Sequence, residues 1–229
     1  MRMAVVVVVL AVLAAPSGAG TRGAELVLLR DVDPSIGEDI RYAGPRNFTG
    51  APVDGYREPV CLLARPAARA LRRARRELAR EEFGLLVYDC YRPRRAVEAF
   101  VRWAGEADDP VAKAAYYPEV AKERLVPEGY IAAESAHSRG STVDVTLVRL
   151  PARGEVDMGT PFDLFDPLSH TEDPRVTGAA RENRRLLGRV LGAQGFVNLP
   201  EEWWHFTLRP EAFPDTVFDV PVAVASGRP

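Results

Sequence analysis

The chain has only three histidines and two cysteines among its 229 residues. Two cysteines are too few, and stand too far from other donors, for a cysteine-rich zinc site. Cys61 and Cys90 can pair as a single disulfide if the domain folds in an oxidising compartment, or remain thiols. An excess of one charge is also missing. Thirty Lys plus Arg stand against thirty-two Asp plus Glu, a formal charge of -2. Without the basic footprint that phosphate backbones attract, nucleic acid is not an expected partner. No internal repeat, low-complexity tract or Pro/Gly/Ser-rich linker follows residue 20, so a solenoid and a two-domain chain are both disfavoured.

The apolar run Met3–Ala15, with Arg2 before it and Pro16, Ser17, Gly18 and Ala19 after it, is shorter than the roughly 20 residues of a membrane span. Its layout is that of a signal peptide over residues 1–19, with cleavage expected after Ala19. The alternative is an uncleaved N-terminal anchor. Either way the domain over residues 20–229 is expected outside the cytoplasm, periplasmic or secreted, with no stable membrane insertion once a leader is removed. The composition, 47% hydrophobic and 27% charged, suffices for one sizeable core.

From Pro66 to Glu82, Ala and Leu recur at helical spacing among arginines expected to be solvated, so this segment reads as an amphipathic helix stopped by Gly84. Leu85–Tyr88 reads as a short buried strand. Pro93 suits the first position of a helix over RRAVEAFVRWA, because it lacks a donor that would be unpaired there. A β-branched strand is expected over Val143–Val148, a helix between Arg175 and Gln194 ending at Gly195, and a final core strand over Trp204–Leu208. Helices and strands mix without regular βαβ alternation, which indicates an α+β domain with a mainly antiparallel central sheet flanked by helices.

Two of the three histidines lie in dense polar motifs, Ser135-Ala-His-Ser-Arg-Gly-Ser-Thr-Val-Asp144 and Glu202-Trp-Trp-His205. A catalytic zinc ion takes three nitrogen or oxygen donors and keeps a fourth position open. His137, Asp144 and His205 supply that set. A straight strand would separate His137 from Asp144 by about 23 Å, so the chain must turn between them, and Gly140 can provide the turn. Residues three apart point to opposite faces of a flat strand, so Glu202 reaches His205 only if the chain bends near Trp203. With that bend, Glu202 becomes a general base for a water whose pKa the zinc lowers. The alternatives are a hydrogen-bonded turn with a structural histidine in the first motif, and His170, in FDPLSHTEDP, as a rival ligand.

These motifs resemble the D-alanyl-D-alanine dipeptidase family, zinc peptidases of the M15 type. The resemblance runs in order through RYAGPRNFTG (41–50), YDCYRP (88–93), GYIAAESAHSRGSTVDVTL (129–147), MGTPFD (158–163) and GFVNLPEEWWHF (195–206). It implies a DD-peptidase/hedgehog-like fold, one Zn2+ per chain on His137, Asp144 and His205, and hydrolysis of the D-alanyl-D-alanine dipeptide to two D-alanines with Glu202 as catalytic base. It also implies that Arg92 steadies the tetrahedral intermediate, that Asp163 pairs with the substrate ammonium, and that Ser135 touches substrate. Arg92 as a structural ion-pair residue and Asp163 as a helix N-cap are the plainer alternatives. Two other functions fit the same donors: a zinc DD-carboxypeptidase or endopeptidase acting on peptidoglycan stem peptides, and a non-catalytic, zinc-stabilised cell-wall binding module.

Overall fold

Strand-forming runs and an Ala/Leu-rich amphipathic segment dominate the core of the computed structural model, which describes residues 26–227. The expected leader, residues 1–19, lies outside the described residues. In chain order the elements are β1 (Leu26–Leu28), α1 (Leu29–Val32), β2 (Gly37–Glu38), β3 (Leu62–Ala64), α2 (Arg65–Leu78), β4 (Phe83–Asp89), α3 (Arg94–Ala104), α4 (Pro110–Tyr116), β5 (Thr142–Arg149), β6 (Gly154–Glu155), α5 (Gly178–Ala193), β7 (Phe196–Asn198) and β8 (His205–Leu208). The mixture of helices and sheets expected from the sequence is present.

The main sheet has the order β2-β4-β5-β8-β7, with β6 added beside β5. β2 pairs parallel to β4, and every other pair in this sheet is antiparallel. Along β5, side chains alternate between faces. Val143, Val145 and Leu147 line one face, Thr142, Asp144 and Thr146 the other, and all six are buried. One face of the central strand is thus apolar and the other polar, and the polar face carries the site. Asp144 stands opposite Asp89 of β4 on one side and His205 of β8 on the other, so three side chains form a row across the sheet.

α2 buries Ala67, Ala68, Ala70, Leu71, Ala74 and Leu78, while Arg69, Arg73 and Arg76 are exposed. The α-helix ends before Glu82, and a 3-10 turn follows over Ala79–Glu81. Glu82, at φ +62°, reverses the chain there, not Gly84. Gly84 lies inside β4, where an added Cβ would come within 3.1 Å of Val148. Pro93 sits one position earlier than expected, as the N-cap of α3, its ψ of 148° still extended. The last strand starts at His205 because Trp203 and Trp204 belong to the preceding turn.

Cys61 and Cys90 form a disulfide, joining the start of β3 to the end of β4 across 29 residues of sequence. A closed loop of that length removes unfolded-chain entropy worth roughly 3.5 kcal/mol. The double variant Cys61→Ala/Cys90→Ala is therefore expected to melt roughly 7–14 °C lower by calorimetry. An unchanged Tm would mean that the bridge constrains nothing.

Candidate active site

The motif between Ser135 and Asp144 folds as a tight reversal. Ala136–Arg139 makes a 3-10 turn whose start is capped by Ser135 Oγ, which accepts from the His137 N–H at 3.3 Å. Gly140 closes the turn at φ +74°, and a Cβ there would also lie 2.5 Å from Leu26 Cδ2, so no side chain fits. The chain then enters β5 and brings Asp144 back to His137. In the second motif the His205 N–H donates to the Glu202 carbonyl at 3.2 Å. Asn198 Nδ2 donates to the carbonyls of both Glu202 and His205 at 3.0 Å, which holds the expected bend.

Asp144 Oδ1 lies 3.2 Å from His137 Nε2 and 3.3 Å from His205 Nδ1. The two imidazole nitrogens are 3.3 Å apart. These are the edge lengths of a tetrahedron whose centre lies about 2.0 Å from each vertex, the bond length zinc makes with imidazole and carboxylate donors. Asp144 Oδ1 is buried and aligned for a hydrogen bond with neither ring. All three atoms lie within 4.8 Å of one another. His137 Nδ1–H donates to the Cys90 carbonyl at 2.6 Å, which fixes the tautomer and leaves Nε2 as a lone-pair donor. Among the described residues this is the group of side chains able to hold a metal.

Burial opposes the charge on Asp144, yet the two imidazoles outweigh it and hold its carboxyl below the usual range. Burial likewise lowers the His205 imidazole, but Asp144 and Glu202 outweigh it and push the ring up to about 9. The negative field of the site is thus strong enough to retain a cation, here a proton. The donor set and its field fit a divalent metal.

Around this centre lies a cleft of roughly 240 Å³, lined among others by Arg92, Ser135, Asp163, Glu202 and Trp204. A neighbouring cleft adjoins it and shares Tyr130, Phe165, Leu199, Glu202 and Trp204. Glu202 Oε2 lies 3.3 Å from His205 Nδ1, at the edge of the donor group. Trp203 and Trp204 beside it are each 2% exposed. Arg92 is stacked over Tyr42 and Phe100 at 5.1 and 5.0 Å. Its Nε donates to Asp89 Oδ2 at 3.0 Å, while Nη2 stands 3.5 Å from Asp144 Oδ2. Arg92 is therefore in an ion pair and at the cleft wall at once.

Asp163 is no helix cap. It is a buried cleft residue at φ +62°, whose carboxyl accepts from Tyr42 OH at 2.9 and 3.1 Å. Burial, and then the negative charge of Asp144, push this carboxyl well above its ordinary range, against the pull of Arg92. It forms no ion pair among the described residues, so it lacks the cation that would let it ionise in place. His170 follows a 3-10 turn over Pro167–Ser169 and lines the neighbouring cleft, apart from the three donors.

Sequence reasoning gave no role to Asp89, Tyr42 or Tyr56. Asp89 is fully buried, holds Arg92, accepts from Tyr56 OH at 2.6 Å and lies 3.5 Å from His137 Nδ1. The signal for it was present, an acid three residues before the arginine of YDCYRP. Tyr42 lies in RYAGPRNFTG, but nothing in that segment tells which side chain faces the cleft.

A family model described as D-ala-D-ala dipeptidase matches residues 22–223. The chain is 44% identical over 185 residues to the D-alanyl-D-alanine dipeptidase of Streptomyces coelicolor, covering 81% of this chain and 92% of that protein. It is 42% identical to the protein of the same name from Enterococcus faecalis, with the same coverage. Against the protein of that name from Escherichia coli it is 34% identical over 188 residues, 82% of this chain and 86% of the other.

Proposed function

The chain belongs to the D-Ala-D-Ala dipeptidase family and is a metallopeptidase that hydrolyses the D-alanyl-D-alanine dipeptide; we propose that it does so with one zinc ion on His137, Asp144 and His205 and with Glu202 as general base. The observation that carries the metal assignment is the convergence of three donor atoms at separations of 3.2 and 3.3 Å around a carboxylate oxygen that hydrogen-bonds to neither ring. When bound, zinc supplies a Lewis acid for the scissile carbonyl and lowers the pKa of a nearby water.

The chain's own residues do the rest. Glu202 takes the proton of the attacking water and returns it to the departing amine. Arg92, its guanidinium fixed by Asp89 and by two aromatic faces, donates to the developing oxyanion without having to reorganise. Asp163 receives the substrate ammonium, which supplies the cation that its buried carboxyl lacks. A longer peptide has no ammonium at that point and forgoes this ion pair, which selects a dipeptide. Ser135 contacts substrate from the cleft wall, in addition to capping the turn of His137.

On the same reading the domain has the DD-peptidase/hedgehog-like fold, supported by the mainly antiparallel sheet. The protein is exported, to the periplasm or beyond, after cleavage near Ala19. The disulfide, and a family match that starts at residue 22, support this.

The deciding assay measures D-alanine released from D-Ala-D-Ala, from L-Ala-L-Ala and from a stem pentapeptide ending in D-Ala-D-Ala. D-Ala-D-Ala is expected to be cleaved at least about 10²-fold faster than either of the others, because a forgone ion pair or a misdirected methyl is costly at a buried carboxyl. Preferential cleavage of the pentapeptide would make the protein a DD-carboxypeptidase. No cleavage with metal bound would leave a binding module.

A further inference from the structure

Arg184 of α5 is 2% exposed and makes no ion pair with a carboxylate among the described residues. A buried guanidinium without a counter-charge is costly unless its donors are satisfied. Here they are satisfied by one loop. Arg184 Nε donates to the Met158 carbonyl at 2.6 Å, Nη1 to the carbonyls of His170 and Leu168 at 2.8 and 3.2 Å, and Nη2 to Leu168 again at 3.2 Å and to Thr160 Oγ1 at 3.4 Å. Met158 opens the loop, Leu168 and His170 close it, and Asp163 lies between them in a left-handed conformation. Burial pulls the guanidinium down to about 10, so it still carries its charge at neutral pH.

The same anchor reaches the second motif. Trp203 Nε1 donates to Thr160 Oγ1 at 2.8 Å, the Trp203 N–H donates to the Ser169 carbonyl at 3.1 Å, and the Arg184 guanidinium lies 5.9 Å from the Trp203 ring. Trp203 is the neighbour of Glu202. We propose that Arg184 is a positioning residue that staples both ends of the Met158–His170 loop, setting Asp163 for the substrate ammonium and, through Trp203, steadying Glu202. A planar fork with five donors can hold three carbonyls and a hydroxyl at once, whereas the single ammonium of lysine cannot span them. The inference rests on the assignment of Asp163 to the substrate ammonium.

The test compares Arg184→Met, Arg184→Lys and Asp163→Asn on D-Ala-D-Ala and on its N-acetyl derivative, reading KM, kcat and bound metal. With Arg184→Met, KM for the free dipeptide is expected to rise about 10-fold or more, kcat to fall less, and bound metal to stay unchanged. Preference for the free amine over the N-acetyl form, taken as a ratio of kcat/KM, should shrink by a similar factor. Arg184→Lys keeps the buried charge and should give a smaller loss of the same kind, about threefold. It decides the matter if Arg184→Met fails to fold.

A residue that only held the fold together would lower cleavage of both substrates equally. An unchanged preference in the Arg184 variants, alongside a collapsed preference in Asp163→Asn, overturns the role of Arg184 alone. An unchanged preference in Asp163→Asn overturns the ammonium assignment, and this inference with it.

Discussion

Replacing Glu202 with glutamine is expected to lower kcat on D-Ala-D-Ala by about 10³–10⁴-fold while leaving the metal in place, since a positioned acid–base group contributes up to about that much. Two observations set the size of the effect. Glu202 is the carboxylate at the edge of the donor group, 3.3 Å from His205 Nδ1, without being one of the three convergent donors. It also has to act twice, taking a proton from the water and returning it to the departing amine, and glutamine can do neither. Glutamine keeps the shape and the backbone turn, whose hydrogen bonds use the Glu202 carbonyl and not its side chain. Steady-state rates and metal analysis on the same preparation check this. A variant that keeps more than a tenth of wild-type kcat would remove Glu202 from the chemistry, and one that loses its metal would make it a ligand.

Stripping the protein with a chelator is expected to abolish turnover and to lower Tm by about 5–10 °C, both restored by about one equivalent of zinc. Asp144 and Glu202 push the His205 ring up to about 9, so without a metal it holds a proton at neutral pH. Zinc must displace the proton to return, so proton release should accompany rebinding at neutral pH. Turnover that persists in chelated protein shown to be metal-free would sink the metal assignment, and a Tm indifferent to zinc would place the metal elsewhere.

Much of this site was legible in the sequence because its chemistry is concentrated. With three histidines in the chain, two of them inside polar motifs, the donors could be named before any geometry was known. Gly140 could be assigned to a turn because two ligands of one ion cannot lie at opposite ends of an extended segment. The longer elements were legible through periodicity, α2 from its buried alanines and β5 from its β-branched run. Two- and three-residue strands such as β1, β2 and β6 are too short to show any period. Tyr42, Tyr56 and Arg184 act through partners 14 to 121 residues away in sequence, as in the bonds of Arg184 to His170 and of Tyr42 to Asp163. Such pairings are created by folding, and only folding discloses them.

Asp89, Asp144 and His205 form their row at right angles to the chain, one side chain from each of β4, β5 and β8. A slip of one residue in either pairing would turn a member of the row to the opposite face. No short fragment contains the row, which spans residues 89–205, and its last member arrives with the final strand of the sheet. Hydrolytic power therefore appears late and all at once: a chain whose last strand has not yet joined the sheet is chemically inert.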